Sequence, residues 1–237
     1  MVGSTLDQLV VDDATLGRNP VVAGATVLRD RQTADTDVYR DPSRGQESAE
    51  YADHTVLVRN SRLDDVTLSA TCVRGQVEVS GETRIRSLDV RDGTFTNSAV
   101  SVKEGASVER RLAVEGEWTH ISGVTVGSGA EVGVDAGDTN RRTGVVVSGA
   151  DNPETTVTVT GPETAVGELT VEQSRINSVF VRGRAAVSEA VSVRDSTIEG
   201  ELKLSGANGR PDLSVGGSGT DVGVVVAEGS ALRRLGV

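Results

Sequence analysis

Aromatic residues are nearly absent from this chain. They make up 2% of its 237 residues, with one Trp, two Tyr and two Phe. A β-sandwich of the immunoglobulin type packs its two sheets around a Trp or Tyr core, and sugar-binding faces usually offer aromatic rings for stacking. The composition therefore disfavours both a sandwich and a carbohydrate-binding surface.

Cysteine and histidine are equally scarce. Cys72 is the single cysteine, so the chain has no disulfide framework and no oxidising compartment is implied. Its neighbours Thr71 and Val73 predict a small side chain within a strand rather than a nucleophile. Only His54 and His120 are present, which excludes a three-histidine zinc site within one chain. A site shared between subunits stays open.

Lysine is rare in an otherwise highly charged chain. Only Lys103 and Lys203 are lysines among 24 basic residues, which face 35 acidic residues and give a formal charge of −11. An acidic surface argues against a nucleic-acid partner. Scarce lysine beside abundant Asp and Glu is typical of a salt-rich cytosol, where screening reduces the cost of excess charge. A GC-rich genome that favours arginine codons is the alternative.

Long apolar runs are missing as well. No apolar run is long enough to suggest a membrane-spanning helix, for which about 18 residues or more are needed. Residues 1–4 lack the charged and apolar regions of a signal peptide. We therefore expect a cytoplasmic protein.

What the chain does contain is a short apolar pattern that recurs along its length. One branched apolar residue is followed by a short gap, two apolar residues in strict alternation, and a small or polar break. The paired positions recur with regular spacing at Val66, Val77, Leu88, Val100, Leu112 and Val124. A unit with three apolar side chains cannot bury them alone, but stacked units can. No apolar residues recur at the spacing of an amphipathic helix. The pattern therefore predicts an all-β chain folded as a single-stranded parallel β-helix with inserted loops.

The periodicity divides the chain into two regions. Residues 1–53 are predicted to hold short N-terminal strands, up to about residue 28, and then a polar, flexible segment at 29–53 without periodicity. Residues 54–237 are predicted to form the β-helix repeat domain. The pattern lapses at 135–142 and again at 207–221, which predicts loops that protrude from the stack, with one more strand within the second stretch.

Candidate catalytic residues are few and isolated. Asp89, Asp92 and Asp195 are the carboxylates that a pectate-lyase-like enzyme would use on a sugar, although acidic residues at corners are usually solvated turn residues. His120 follows Trp118 closely enough to suggest a general base beside a substrate ring, but a corner position for both is favoured. The sequence therefore predicts no enzyme, no cofactor and no metal site.

The stretch from Val179 to Leu204 resembles the bactofilins, which are polymer-forming cytoskeletal proteins. Their repeats read much like V-x-V-x-G-x-V-x-G-x-I-x-A, and the closest match here is Ile-Glu-Gly-Glu-Leu at 198–202. The resemblance covers the repeat region only, and the chain is longer and less regular than the usual single rod. Archaeal relatives, the halofilins, would fit the acidic composition. The resemblance implies a right-handed β-helix, filaments that form without nucleotide, and a role in cell shape, often at the membrane.

The C-terminal repeat suggests how such a chain would assemble. Val222, Val224 and Val226 alternate there, and Leu232 and Leu235 follow. The last coil of a β-helix leaves unpaired backbone groups above an apolar column. We expect these five residues to form a polymerisation interface with further copies of the chain. We also expect association with the membrane or with other cell-shape proteins. The alternative function is a carbohydrate-binding or carbohydrate-cleaving β-helix, or a viral fibre.

Overall fold

The computed structural model is built from β-strands. It describes residues 9–12, 15–16, 21–23, 27–28, 54–69, 72–73, 76–91, 94–95, 99–115, 121, 123–127, 129–134 and 144–236. Within these ranges there is no helix, and all the paired strands are parallel. The predicted all-β parallel solenoid is confirmed.

Two long sheets and one short sheet contain these strands, which are numbered in chain order. The first sheet has nine strands, in the order β1 (Leu9–Asp12), β5 (His54–Arg59), β8 (Gln76–Ser80), β11 (Ala99–Val102), β13 (Gly123–Gly127), β16 (Asp151–Thr160), β18 (Arg175–Arg182), β20 (Thr197–Ser205) and β22 (Asp221–Glu228). The second sheet follows β2 (Thr15–Leu16), β6 (Arg62–Ser69), β9 (Arg84–Arg91), β12 (Ser107–Glu115), β14 (Glu131–Val132), β17 (Ala165–Glu172), β19 (Ala186–Arg194), β21 (Asp212–Gly216) and β23 (Arg234–Gly236), with β3 (Val21–Ala23) beside β6 and β15 (Gly144–Ser148) between β12 and β17. The third sheet joins β10 (Thr94–Phe95), β7 (Cys72–Val73) and β4 (Val27–Leu28).

The chain alternates between the two long sheets, and each strand pairs with the strand one coil later. Val179 of β18 pairs with Leu202 of β20, which pairs with Val225 of β22. In the second sheet, Leu169 pairs with Val191. The sequence offset in these pairs is twice the spacing of the short apolar units, so one coil holds two of those units.

The coil that contains residues 135–143 is longer than its two neighbours in the stack. Leu112 of β12 pairs with Val145 of β15, a sequence offset half as long again as the ordinary one, and β14 and β15 occupy one strand position on either side of residues 135–143. The predicted lapse at 135–142 is therefore an insertion into a strand. Within 207–221, the additional strand that the sequence predicts is confirmed as β21. The predicted excursion around it is wrong, because Val193 pairs with Val215 at the ordinary offset, so the stretch adds no residues to its coil.

The predicted N-terminal strands join the same sheets. The strand β1 pairs with β5, β2 and β3 pair with β6, and β4 pairs with β7. The predicted flexible segment at 29–53 lies outside the described residues.

The interior is a dry column of branched aliphatic side chains. Alternation along each strand points every second residue inward, and inward residues such as Val179, Val191 and Leu202 are completely buried. At one corner, hydroxyl groups satisfy backbone donors of the preceding coil. The Ala150 N–H donates to Ser174 Oγ (3.2 Å), and the Ser174 N–H donates to Ser196 Oγ (3.1 Å).

Candidate assembly surface at the terminal coil

The last coil of the solenoid has a partner on one side only. The strand β22 pairs with β20, and β23 pairs with β21. Among the described residues, no further strand lies beyond either of them. Each strand therefore presents an edge whose N–H and C=O groups can accept another strand.

The inward side chains of this coil are exposed where their counterparts are buried. Val225 continues the column position of Leu202, and Leu235 continues that of Leu213. Leu202 and Leu213 are 0% and 1% exposed, whereas Val225 and Leu235 are 44% and 62% exposed. The end of the column is thus an apolar surface bounded by two strand edges.

Three of the predicted interface residues belong to this end surface. Val222 pairs with the buried Ile198 and packs partly against the core. Leu232 also packs partly against the core, and Leu235 lies on the exposed end.

The other two predicted residues lie on a different face. A register irregularity follows the pair of Ile198 and Val222, and it shifts the alternation of β22 by one position. Val224 then pairs with Glu201 and Val226 with Lys203, so both valines stand on the outer face of the first sheet. Sequence reasoning therefore grouped residues of two faces and missed Val225. Aligning 202–204 with 225–227 by the coil period would have identified it.

One ion pair ties the final strand to its neighbour. Arg233 contacts Asp212 through two hydrogen bonds, Nε to Oδ1 at 2.8 Å and Nη2 to Oδ2 at 2.9 Å. The hydrogen bonds from Arg233 lower the pKa of the Asp212 carboxyl below its usual range, and those to Asp212 raise the pKa of the guanidinium. The pair therefore helps to hold β23 on β21, but it adds no acid–base group.

The carboxylates considered for sugar cleavage are not brought together. Asp89 lies on β9, with Arg111 Nε 3.0 Å from its Oδ1. Asp195 lies at the corner after β19, where its Oδ1 accepts a hydrogen bond from the Ser218 N–H at 2.8 Å. The strands β9 and β19 are four positions apart in the sheet, which corresponds to roughly 19 Å at about 4.8 Å per strand. Asp92 lies outside the described residues.

The remaining candidates contribute no site geometry. Cys72 lies in β7 and pairs with Thr94, and His54 lies in β5. Trp118 and His120 lie outside the described residues. Over the described ranges, no group of three or more His, Cys, Asp or Glu side chains is placed to hold a metal ion.

Comparisons with known proteins identify no family for this chain. No family model, no curated protein and no solved structure matches the chain. In the part of the chain that the structure describes, no helix is long and apolar enough to cross a membrane.

Proposed function

We propose that this chain is a structural protein whose solenoids join end to end into filaments, without a nucleotide. The observation that carries the proposal is the exposed end of the column, where Val225 and Leu235 occupy positions that are buried one coil earlier. A further coil from a second copy would continue both long sheets and cover these side chains.

The energetics favour a contact that is modest and directional. Full burial of a Val or Leu side chain contributes about 1.5–3 kcal/mol, so covering the exposed half of Val225 and of Leu235 contributes on the order of 1 kcal/mol each. Strand pairing along β22 and β23 adds hydrogen bonds that fix the orientation of the second copy. The strand β1 also pairs on one side only among the described strands, so a rod presents a strand edge at both ends.

Net charge makes assembly depend on salt. Each copy has a formal charge of −11, so copies in one filament repel each other unless ions screen them. The Debye length falls to about 3 Å at 1 M salt, and assembly is therefore strongest at high ionic strength.

The resemblance to bactofilins supports the proposal of a role in cell shape. The stretch from Val179 to Leu204, which carries that resemblance, lies in three consecutive strands of the column, β18 and β20 in the first sheet and β19 in the second. A filament of this kind would serve in cell shape, in the cytoplasm or at the inner face of the membrane, with its own copies as the main partner. A salt-rich, archaeal cytosol would suit the acidic composition.

Electron microscopy of the purified protein in molar KCl tests the proposal. We expect the wild-type chain to form unbranched filaments, and Val225→Asp to yield single rods because a charge then lies at the joint. Ser214→Asp adds the same charge to an exposed position on β21 and leaves filaments intact. Wild-type protein that remains as single rods at high salt, or Val225→Asp filaments as long as those of the wild type, would exclude this joint.

A further inference from the structure

The outer face of the first sheet changes character near the terminal coil. One row of outward positions runs along the sheet from the buried Leu57 of β5. After Leu57, the row passes through the paired residues Glu78, Ser101, Thr125, Thr158, Phe180, Lys203 and Val226. The four positions from Glu78 to Thr158 are polar, whereas Phe180 and Val226 are apolar. Val224 stands beside Val226 on the same face and is 50% exposed.

An end-to-end joint leaves this face uncovered. A coil added beyond β22 covers Val225, but Val224 and Val226 point away from the column. A strand with valine on both faces is typical of strands that are buried on both sides, and an exposed apolar patch with polar neighbours usually marks a binding surface. A second contact, made from the side, would cover these valines.

The neighbouring row supplies charges of opposite sign. Arg182 of β18 pairs with Ser205 of β20, which pairs with Glu228 of β22. Arg182 and Glu228 are both exposed, and the Arg182 guanidinium carbon lies 5.5 Å from the centre of the Phe180 ring. We call Phe180, Arg182, Lys203, Val224, Val226 and Glu228 the outer patch.

The outer patch is complementary to itself under one symmetry operation. A two-fold axis that runs parallel to β20 and passes over Lys203 exchanges the positions of β18 and β22 in the two copies. It places Val226 of one copy over Phe180 of the other, and Glu228 over Arg182. From this arrangement we propose that two copies pack side by side through the outer patch, with their column axes antiparallel.

On the central strand, the same operation brings the two copies of Lys203 opposite each other, so each needs a carboxylate of the other copy to offset their repulsion. Lys203 lies near the axis, and Glu201 lies two residues away on the same strand, about 6.6 Å along it. Each Lys203 can therefore contact Glu201 of the second copy. Because the outer patch mixes both signs and the whole chain is acidic, a second copy fits it better than an anionic lipid surface does.

The size of the contact indicates where it operates. Three strands and about five residues along each give roughly 15 by 17 Å, or on the order of 250 Å² per copy, against about 800 Å² in a stable interface. A single contact is therefore weak. Filaments repeat it once per subunit and so gain avidity, so the inference of lateral bundling depends on the proposed end-to-end function.

A charge reversal and its compensation test the outer patch. At the lowest KCl concentration that supports filaments, where the ion pairs are screened least, we expect wild-type filaments to form bundles that sediment at low speed. Single filaments sediment only at high speed. Arg182→Glu places a carboxylate opposite Glu228 and lowers the low-speed pellet by about fivefold, with the high-speed pellet unchanged. The exchange Arg182→Glu with Glu228→Arg restores bundling. Bundles unaffected by the single reversal, or not restored by the exchange, would refute the contact.

The two proposals fail in distinguishable ways. Val225→Asp removes filaments and bundles together, whereas Arg182→Glu removes bundles alone. If the wild-type chain forms no filaments, the end-to-end joint is refuted, and sedimentation equilibrium of the single rods tests the outer patch instead. The lateral contact is supported if the rods dimerise at high concentration, if Arg182→Glu lowers the dimer affinity about fivefold, and if the exchange restores it. The contact is refuted if the rods stay monomeric, or if Arg182→Glu leaves their dimer affinity unchanged.

Discussion

The last two coils of the solenoid carry the same residue pattern but differ in what covers them. In the coil of β20 and β21, Leu202 and Leu213 are buried by a strand on each side. In the coil of β22 and β23, Val225 and Leu235 hold the same column positions and are exposed. The difference shows that burial in a solenoid is supplied by the neighbouring coil and not by the unit itself.

The two coils also differ on their outer face. In β20 the residue between the inward leucines is Lys203, and in β22 the corresponding residue is Val226. At this position β20 thus has an apolar inner face and a polar outer face, whereas β22 is apolar on both. The terminal coil therefore offers two surfaces for association, one at the end and one at the side.

An introduced charge should give the largest difference in stability between the two coils. Leu202→Asp places a carboxylate in the dry column, at a cost of several kcal/mol, which is comparable to the whole stability of about 5–15 kcal/mol. We expect this variant to be largely unfolded. Val225→Asp, one coil later, leaves the carboxylate in contact with water and changes stability by less than about 1 kcal/mol. Circular dichroism melts of dispersed rods measure both, and equal loss at the two positions would mean that the terminal coil is already covered.

Truncation of the second-sheet leucines should give a smaller contrast. Leu213→Ala empties a buried position and is expected to cost about 2–5 kcal/mol, because the column cannot collapse around the cavity. Leu235→Ala removes a side chain that is mostly in water and should cost less than about 1 kcal/mol. Urea unfolding of rods below the assembly concentration measures both values. A large loss at Leu235 would contradict its exposure.

The architecture was predictable because the coil imposes a simple repeat. Alternation within each strand and apolar pairs at a regular spacing along the chain are enough to predict parallel stacked strands. The alternating Val222, Val224 and Val226 predict a strand, and it is present as β22 (Asp221–Glu228). These features depend on local pattern alone.

The two faces of the terminal strand were not predictable from alternation. Between the pairs Ile198–Val222 and Glu201–Val224, β20 has two residues where β22 has one. This irregularity shifts the alternation of β22 by one residue, which moves each later side chain to the other face. Strict alternation therefore assigned Val224 and Val226 to the column and left out Val225. The corner hydrogen bonds of Ser174 and Ser196 were also missed, because they join residues 22 positions apart and no apolar pattern marks them.

A corner hydroxyl should matter more in the interior than at the end. Ser196 is buried, and its Oγ accepts from the Ser174 N–H and donates to the Arg194 carbonyl at 2.7 Å. Ser196→Ala leaves a buried N–H without that acceptor and should cost about 1–3 kcal/mol. Ser230 accepts from the Ala207 N–H at 3.0 Å in the terminal coil, where water can replace it, so Ser230→Ala should cost less than about 0.5 kcal/mol. Thermal melts that rank the two variants in the opposite order would contradict this comparison.

Acid should loosen the terminal strand before it affects the internal coils. The hydrogen bonds from Arg233 lower the pKa of Asp212 in the folded chain, so their stabilising effect is complete above the usual carboxyl pKa of about 4 and is lost as the pH falls through the lower, folded value. Hydrogen exchange of the β23 amides, corrected for intrinsic rates, should therefore rise below about pH 4. Arg86 likewise lowers the pKa of Asp65, but β6 and β9 are also held by buried columns, so their amides should stay protected. Asp212→Asn should make β23 exchange faster and no longer dependent on pH, and a pH dependence that survives this substitution would show that another group controls the end.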